Sequence, residues 1–381
     1  MIIGIDARFY GPLGKGLGRY TQEVVDRVIN LNKSDNHDLS FVIFLSKENF
    51  SDFNITDNRT KKVELDFRWY SLSEQIKFPF YIKKYKIDLM HFPHFNVPIF
   101  CPSKFIVTIH DLILTHFPTV RATTKNSLVY YFKNLAYRLV LLSAIKLSSK
   151  ILTVSEFTKK DILSLFKIKA DKIIVSYEGV ANLTDKKSFF LDKEKSSFIT
   201  EIDLTKKFLL YVGSAYPHKN LEKIVAVFKI LEKENSDLSL LLVGKEDFFY
   251  NRLKQEVGAS KNIIFSGYVS DADLDVLYTK ALAFIFPSLY EGFGLPPLEA
   301  MSKSCPVLSS NYSCLPEILG DNVLYFNPTD TNDIMVKIKM IAEDENLRAN
   351  LISLGSEWIN KYSWDDCVKI TLETYLNILK K

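Results

Sequence analysis

Two carboxylates bracket a loop of glycine and proline in Glu291-Gly292-Phe293-Gly294-Leu295-Pro296-Pro297-Leu298-Glu299. An apolar run, Ala281 to Phe286, ends in Pro287 and Ser288 just before it. Glu299 opens an apolar helical run, and proline is tolerated in a helix's first turn, where its missing N–H would have no partner anyway. The chain therefore reads strand, glycine loop, helix start. Such a loop aims free N–H groups at whatever lies above it, and the helix dipole favours an anion there. Alternatively, Glu299 caps its helix and Glu291 lies in solvent. Two glutamates bracketing such a loop at a strand's C-terminal end favour a site.

Four further clusters have the residue types for chemistry. Gly14-Lys15-Gly16-Leu17-Gly18-Arg19 follows the first apolar run, and its glycines allow a close backbone approach that could cradle a diphosphate. It is not a G-x-G-x-x-G fingerprint and has no acid about twenty residues on to hold a ribose, so a plain strand-to-helix loop stays open. In Thr108-Ile109-His110-Asp111-Leu112, His110 stands at a strand's end, where it can bond a sugar hydroxyl or carry a proton. It reads equally as a buried histidine held by Asp111, and the same applies to His91 and His94. In Tyr211-Val212-Gly213-Ser214-Ala215-Tyr216-Pro217-His218-Lys219-Asn220 a strand ends in a small-residue turn and presents Lys219, which can neutralise phosphate, or simply lie exposed. The Gly-Lys-Ser/Thr order of a Walker loop is absent. Ser266-Gly267-Tyr268-Val269 ends another strand and could hold a nucleotide base through its backbone.

These clusters need elements to position them, and the 381 residues allow two domains. Apolar runs at Ile2–Ile5, Phe41–Leu45, Ile87–Phe92, Phe105–Ile109 and Ile151–Val154 alternate with helical patterns, one spanning about Thr124 to Leu147. A second series follows at Phe208–Val212, Leu238–Val243, Ile263–Phe265, Leu282–Phe286, Val307–Ser309 and Val323–Phe326, and a helix over Trp364–Leu379 closes the chain. Buried strands alternating with helices predict parallel sheets. The lysine-, serine- and acid-rich segment Asp185–Lys206 reads as the connection between domains. The expected division is 1–195 and 196–362, with 363–381 returning to the first domain. The fold class is α/β, two Rossmann-like doubly wound units. Ligands bind such sheets at the carboxyl ends of strands, so two facing units would place the site in the cleft between them.

Net charge is +4, unevenly spread: residues 1–150 hold 21 Lys and Arg against 13 Asp and Glu, the rest 28 against 32. A basic first half suits an acidic surface or ligand. The stretch Lys77-Phe78-Pro79-Phe80-Tyr81-Ile82-Lys83-Lys84-Tyr85-Lys86 suits an anionic membrane surface, or is an ordinary amphipathic helix with a solvated lysine face. No apolar run has the roughly 18 residues of a membrane span, and Met1-Ile2-Ile3 enters a strand without a signal peptide. Cys101, Cys305, Cys314 and Cys367 lack metal-ligand spacing and fit a reducing cytoplasm. The expected location is cytoplasmic, at the inner face of the plasma membrane, with no nucleic-acid partner.

Taken together the clusters resemble the retaining glycosyltransferases of family 4, with the GT-B fold, over nearly the whole chain. Glu291 to Glu299 matches the family's E-x7-E signature. Tyr211–Asn220 resembles its Y-V-G-x-x-x-P-R-K-N segment, Val107–Leu112 its V-x-x-H-D-L segment, Gly16–Tyr20 its G-x-G-R-Y loop and Val154–Thr158 its V-S-x-x-S/T turn. The resemblance implies that Glu291 holds hydroxyls of a donor hexose and Glu299 those of the ribose. Lys219 and the backbone at Gly16, Gly18 and Gly294 would contact the diphosphate, and His110 the sugar near its anomeric carbon. Val269 would lie by the base. Ser214, His218, Gly292, Phe293 and Leu295 complete the donor side, and His94, Asp111 and Arg19 are acceptor-side candidates. His218 replaces the arginine of an arginine–lysine pair and Ser214 stands where many members have another arginine. Protonated His218, Arg19 or Lys15 could supply the positive charge so lost. The implied reaction moves a hexose, with mannose from GDP-mannose favoured, to a saccharide or lipid-linked saccharide of a surface polysaccharide, without cofactor or metal. A UDP-sugar-dependent transferase, an epimerase or phosphorylase of the same fold, a non-catalytic sugar- or nucleotide-binding protein and, more weakly, a nicotinamide dehydrogenase are the competing readings.

Overall fold

The structure is a computed structural model that describes residues 1–11, 14–35, 37–118, 127–180, 203–234 and 237–380. The chain forms two compact units, one of residues 1–179 and 363–381, the other of residues 180–362. Most of the connecting segment expected at Asp185–Lys206, with the 195/196 boundary, lies outside the described residues.

The first unit runs β1 (Ile2–Asp6), α1 (Lys15–Ser34), β2 (Ser40–Ser46), β3 (Thr60–Leu65), α2 (Leu72–Lys84), β4 (Leu89–Phe92), β5 (Lys104–Ile109), α3 (Ile113–His116), α4 (Ser127–Leu147), β6 (Lys150–Thr153), α5 (Glu156–Leu165) and β7 (Ile173–Val175). Its strands form one parallel sheet in the order β3-β2-β1-β4-β5-β6-β7. The second unit runs β8 (Phe208–Val212), α6 (Leu221–Lys233), β9 (Ser239–Val243), α7 (Phe248–Val257), β10 (Ile263–Gly267), α8 (Asp271–Lys280), β11 (Ala283–Phe286), α9 (Leu295–Ser302), β12 (Val307–Ser310), α10 (Leu315–Leu319), β13 (Leu324–Phe326), α11 (Thr331–Glu343) and α12 (Glu345–Trp358). Its sheet, also parallel, has the order β10-β9-β8-β11-β12-β13. The last helix, α13 (Trp364–Leu379), belongs to the first unit.

Both orders reverse once, at β1/β4 and at β8/β11, which is the doubly wound arrangement. The central strands are buried on both faces, as in Leu209, Leu210 and Tyr211 of β8 and Phe284 and Ile285 of β11. That is why they read as continuous apolar runs rather than alternating ones. Edge strand β3, Thr-Lys-Lys-Val-Glu-Leu, is only partly covered, with Thr60, Val63 and Leu65 buried and Lys61 and Glu64 exposed. The apolar-run criterion passed over it, and over three-residue β7.

Helix starts follow local chemistry. Ser71 Oγ accepts from the Glu74 N–H to cap α2, and Ser155 Oγ accepts from the Thr158 N–H to cap α5. α9 begins at Gly294, whose φ of 91° suits glycine, with Pro296 and Pro297 in its first turn. α1 starts at Lys15, so Gly16 and Gly18 lie in a helix's first turn and not in a loop. Helix α13 is tied in by Tyr375, whose hydroxyl lies 2.6 Å from His91 Nδ1, and by Arg27, which pairs with Asp365 at 2.8 Å. A Cβ on Gly179 would fall 2.2 Å from the Trp364 backbone nitrogen, so glycine lets this helix approach closely.

Candidate active site

In the second unit, β8 and β11 flank the reversal of strand order. The segment after β8 carries His218 and Lys219; the segment after β11 carries Glu291 to Gly294. Lys219 Nζ donates to Glu291 Oε1 at 2.6 Å, with both side chains largely withdrawn from solvent. The pair spans the crevice position where such sheets bind ligands.

Backbone bonds fix both segments. The Leu289 N–H donates to the His218 carbonyl at 2.7 Å, linking them directly. The Glu291 N–H donates to Ser313 Oγ at 3.1 Å, and Cys314 Sγ to the Phe293 carbonyl at 3.3 Å. Asn220, at φ 60°, donates through Nδ2 to the carbonyls of Pro328 and Pro287. At the turn after β8, Tyr211 donates its hydroxyl to the Ser214 carbonyl at 2.8 Å and Tyr250 to that of Gly213 at 2.9 Å. Gly292, Phe293 and Gly294 are buried, and Leu295 begins α9, which carries Glu299. Val269 is buried in the loop between β10 and α8.

His218 corrects one expectation. Burial, reinforced by the charge of Lys219 and opposed by Glu291, lowers its pKa to about 4. The imidazole is neutral at pH 7 and does not replace the missing arginine charge. Of the other cations offered for that role, Arg19 sits partly buried in the first turn of α1, and the Lys15 side chain lies outside the described residues.

In the first unit, His110 follows β5. Its Nδ1 lies 3.0 Å from Glu178 Oε1 and its Nε2 2.9 Å from the Pro93 carbonyl oxygen. Both partners are acceptors, so both ring nitrogens donate only in the imidazolium. Burial opposes that charge, but the Glu178 hydrogen bond and charge, with the Pro93 carbonyl, raise the pKa overall. Asp111 adds its charge to that effect, while its Oδ1 accepts from the Ile113 N–H at 2.9 Å, starting α3. Tyr20 meets the His110 ring edge-on at 4.5 Å.

His91 and His94 are neutral, pushed down to about 3 by burial and then by the charge of His110. His91 is a structural group, bonding Tyr375 and, through Nε2 at 3.0 Å, Thr108. His94 lies 3.2 Å from the Tyr70 hydroxyl. Gly18 is required by packing, since a Cβ there would fall 2.0 Å from the Gly11 carbonyl oxygen; a Cβ on Gly16 would meet none of the described residues within 4 Å.

Sequence reasoning did not find Glu178, Ser313 or Asn220. Glu178 is 68 residues from His110, in a stretch without periodicity, and only the sheet brings them together. Asn220 stood next to Lys219 and had a signal: asparagine is among the few residues that readily take positive φ before a helix.

Residues 15–181 match the family described as glycosyltransferase family 4, and residues 192–358 match that described as glycosyl transferases group 1. The chain is 29% identical to O-antigen chain mannosyltransferase B of Escherichia coli, over 94% of this chain and 95% of that one. Among solved structures, sucrose-phosphate synthase of Thermosynechococcus elongatus superposes with a TM-score of 0.74 at 18% identity, covering 100% of this chain and 99% of that one. HepE of Anabaena, in complex with UDP and glucose, gives 0.70 at 16% identity over 98% of each chain.

Proposed function

The chain belongs to glycosyltransferase family 4 and is a glycosyltransferase of GT-B fold; from that premise we propose that it transfers mannose from GDP-mannose, with retention, to a lipid-linked saccharide of a surface polysaccharide. The observation that carries the reading is the Lys219–Glu291 pair at the β8/β11 reversal. The name of the Escherichia coli relative supports mannose and the polysaccharide acceptor.

The chemistry asks for what this site offers. As the glycosidic bond to phosphate breaks, positive charge gathers on the sugar ring and negative charge on the departing diphosphate. Lys219, with the N-terminal turn of α9 behind Gly294, meets the diphosphate charge. Glu291 accepts from hexose hydroxyls, each charge-assisted bond contributing about 1.5–3 kcal/mol. Glu299, in α9, holds the ribose hydroxyls, and the base lies by Val269. His110, whose two ring nitrogens donate to Glu178 and the Pro93 carbonyl, acts toward the sugar through its positive charge rather than through a free N–H. The acceptor hydroxyl attacks from the face the diphosphate leaves, and a phosphate oxygen takes its proton. No protein base is then needed.

We also place the enzyme at an anionic membrane. Among the described residues no helix is long and apolar enough to cross a bilayer. Helix α2, however, leaves Leu72, Ile76 and Phe80 exposed at a spacing of four, next to Lys83 and Lys84. That is the pattern of a helix lying in a membrane interface.

The test is incubation of the purified chain with a panel of nucleotide sugars and mannose-terminated saccharides, reading nucleotide release and product anomeric configuration by NMR. GDP released only with acceptor, and an α-linked product, are expected. Release from UDP-glucose alone, or a β-linked product, would overturn donor or stereochemistry.

A further inference from the structure

The second sheet's reversal is given to the donor, and the first sheet has one of its own, between β1 and β4. Phe9 stands just past β1 and His94 just past β4, their rings 5.6 Å apart. Trp69, from the loop after β3, stacks on Phe9 at 4.4 Å and 24°. Tyr70 meets His94 edge-on at 5.9 Å, with its hydroxyl 3.2 Å from Nδ1. Trp69 stays 37% exposed and Tyr70 58%. Aromatic surface has thus been assembled at a sheet's ligand-binding position and left facing water.

The cluster rests on a charged network beneath it that reaches all three segments carrying the rings. Arg8, wholly buried beside Phe9, donates to Asp6 through Nε and Nη2, each at 2.7 Å, and to Glu74. Glu74, also wholly buried, accepts from Asn96 Nδ2 at 2.8 Å, next to the His94 segment. Its other oxygen accepts from the Tyr70 N–H at 2.7 Å. Arg8 Nη1 has no hydrogen-bond partner among the described residues, and the guanidinium lies over the rings of Phe78 and Phe67. Burying three charges stabilises little, so such a network is better explained by what it positions. Tyr70 is held at φ 59°, a conformation a tyrosine rarely takes and one that marks functional loops.

We propose that Phe9, Trp69, Tyr70 and His94 form the floor of a subsite on which a pyranose ring of the acceptor saccharide stacks, an assignment that rests on the glycosyl-transfer reading. A sugar has an apolar C–H face and a rim of hydroxyls. The C–H face fits the electron-rich ring faces, and the rim meets the Tyr70 hydroxyl and His94 Nε2, since Nδ1 accepts from the Asn96 N–H. A phosphorylated or nucleotide ligand fits less well, because the charge within the cluster is that of buried Arg8 with two carboxylates, Asp6 and Glu74.

The test uses the full chain with Trp69→Ala and Trp69→Phe, and α-linked mannotriose as probe. Trp69→Ala should raise the acceptor KM about tenfold or more, the scale of losing one aromatic anchor. kcat at saturating acceptor should stay within about threefold, and Trp69→Phe should recover most of the loss. GDP-mannose affinity by calorimetry should not move. Saturation-transfer NMR without donor should show mannotriose C–H contacts that vanish in Trp69→Ala. An unchanged acceptor KM, or no mannotriose contact in the natural chain, overturns the subsite, and nucleotide affinity falling with Trp69 makes it a base platform instead. If mannotriose contacts Trp69 but no nucleotide sugar is ever consumed, the transfer reading fails and the subsite stands.

Discussion

Lys219 and Glu291 are joined at 2.6 Å although 72 residues separate them, because β8 and β11 are neighbours where the strand order reverses. The pair places a phosphate-seeking cation beside a hydroxyl-seeking carboxylate. Glu291→Ala should lower kcat on the order of 10²–10³-fold, as for loss of one preorganised transition-state contact. Lys219→Ala should act similarly, in part by stranding a nearly buried carboxylate. Steady-state kinetics of both single variants and the double variant decide this: two residues acting as a unit lose less together than the product of the single losses. Full activity in Glu291→Ala would remove it from the mechanism.

The His110–Glu178 bond predicts a pH dependence of definite sign. The folded-state pKa of His110 is raised, so its contribution to stability is complete below the unfolded value of about 6.5 and fades as pH rises through the folded value. His218, His91 and His94, with lowered values, act oppositely and weaken the fold as pH falls below about 6.5. In Glu178→Gln the His110 titration followed by NMR should move down, and the transfer rate near neutral pH should fall with it. An unmoved His110 titration would mean that Glu178 does not hold the charge.

Much of this was legible in the chain because parallel sheets write themselves plainly. Strands such as Phe208–Val212 and Leu282–Phe286 are apolar on both faces, and the glycine turn ending at Gly294, with prolines in the first turn of α9, marks a strand-to-helix exit. Edge strand β3 was not legible by that rule, because it is only partly covered. The role of His110 was half legible: the residue stood out at a strand's end, but nothing local announces a partner 68 residues away. The charge of His218 was misjudged because protonation depends on burial, and burial is set by the fold rather than by the neighbouring letters.

Gly16 and Gly18 separate backbone contact from packing. A methyl group at Gly18 meets the Gly11 and Phe9 carbonyl oxygens, so Gly18→Ala should lower the unfolding midpoint markedly. At Gly16 the same group meets none of the described residues, so Gly16→Ala should leave the unfolding midpoint nearly unchanged. If the α1 N-terminus receives the donor diphosphate, Gly16→Ala should nevertheless weaken GDP-mannose binding several-fold by calorimetry. Equal donor affinity in Gly16→Ala and the natural chain would release that turn from the donor site.

The outer face of α2 predicts how the enzyme meets its acceptor. Leu72, Ile76 and Phe80 recur every four residues and so share one helix face, while Glu74, Phe78 and Ile82 are buried. Full burial of such side chains in an acyl boundary is worth about 1.5–3 kcal/mol each. Lysines near an anionic surface add about 1 kcal/mol apiece, screened by salt, and Lys83 and Lys84 stand at the same helix's end. Vesicle co-sedimentation should therefore show binding that rises with phosphatidylglycerol content and falls as salt is raised. Replacing Ile76 and Phe80 together by aspartate should reduce partitioning at least about tenfold, since two apolar anchors are lost and two like charges face the lipid. Both side chains are exposed, so the unfolding midpoint should hold. Binding equal to that of the natural chain, or indifferent to lipid charge, would assign this face to water and leave the acceptor to reach the enzyme by another surface.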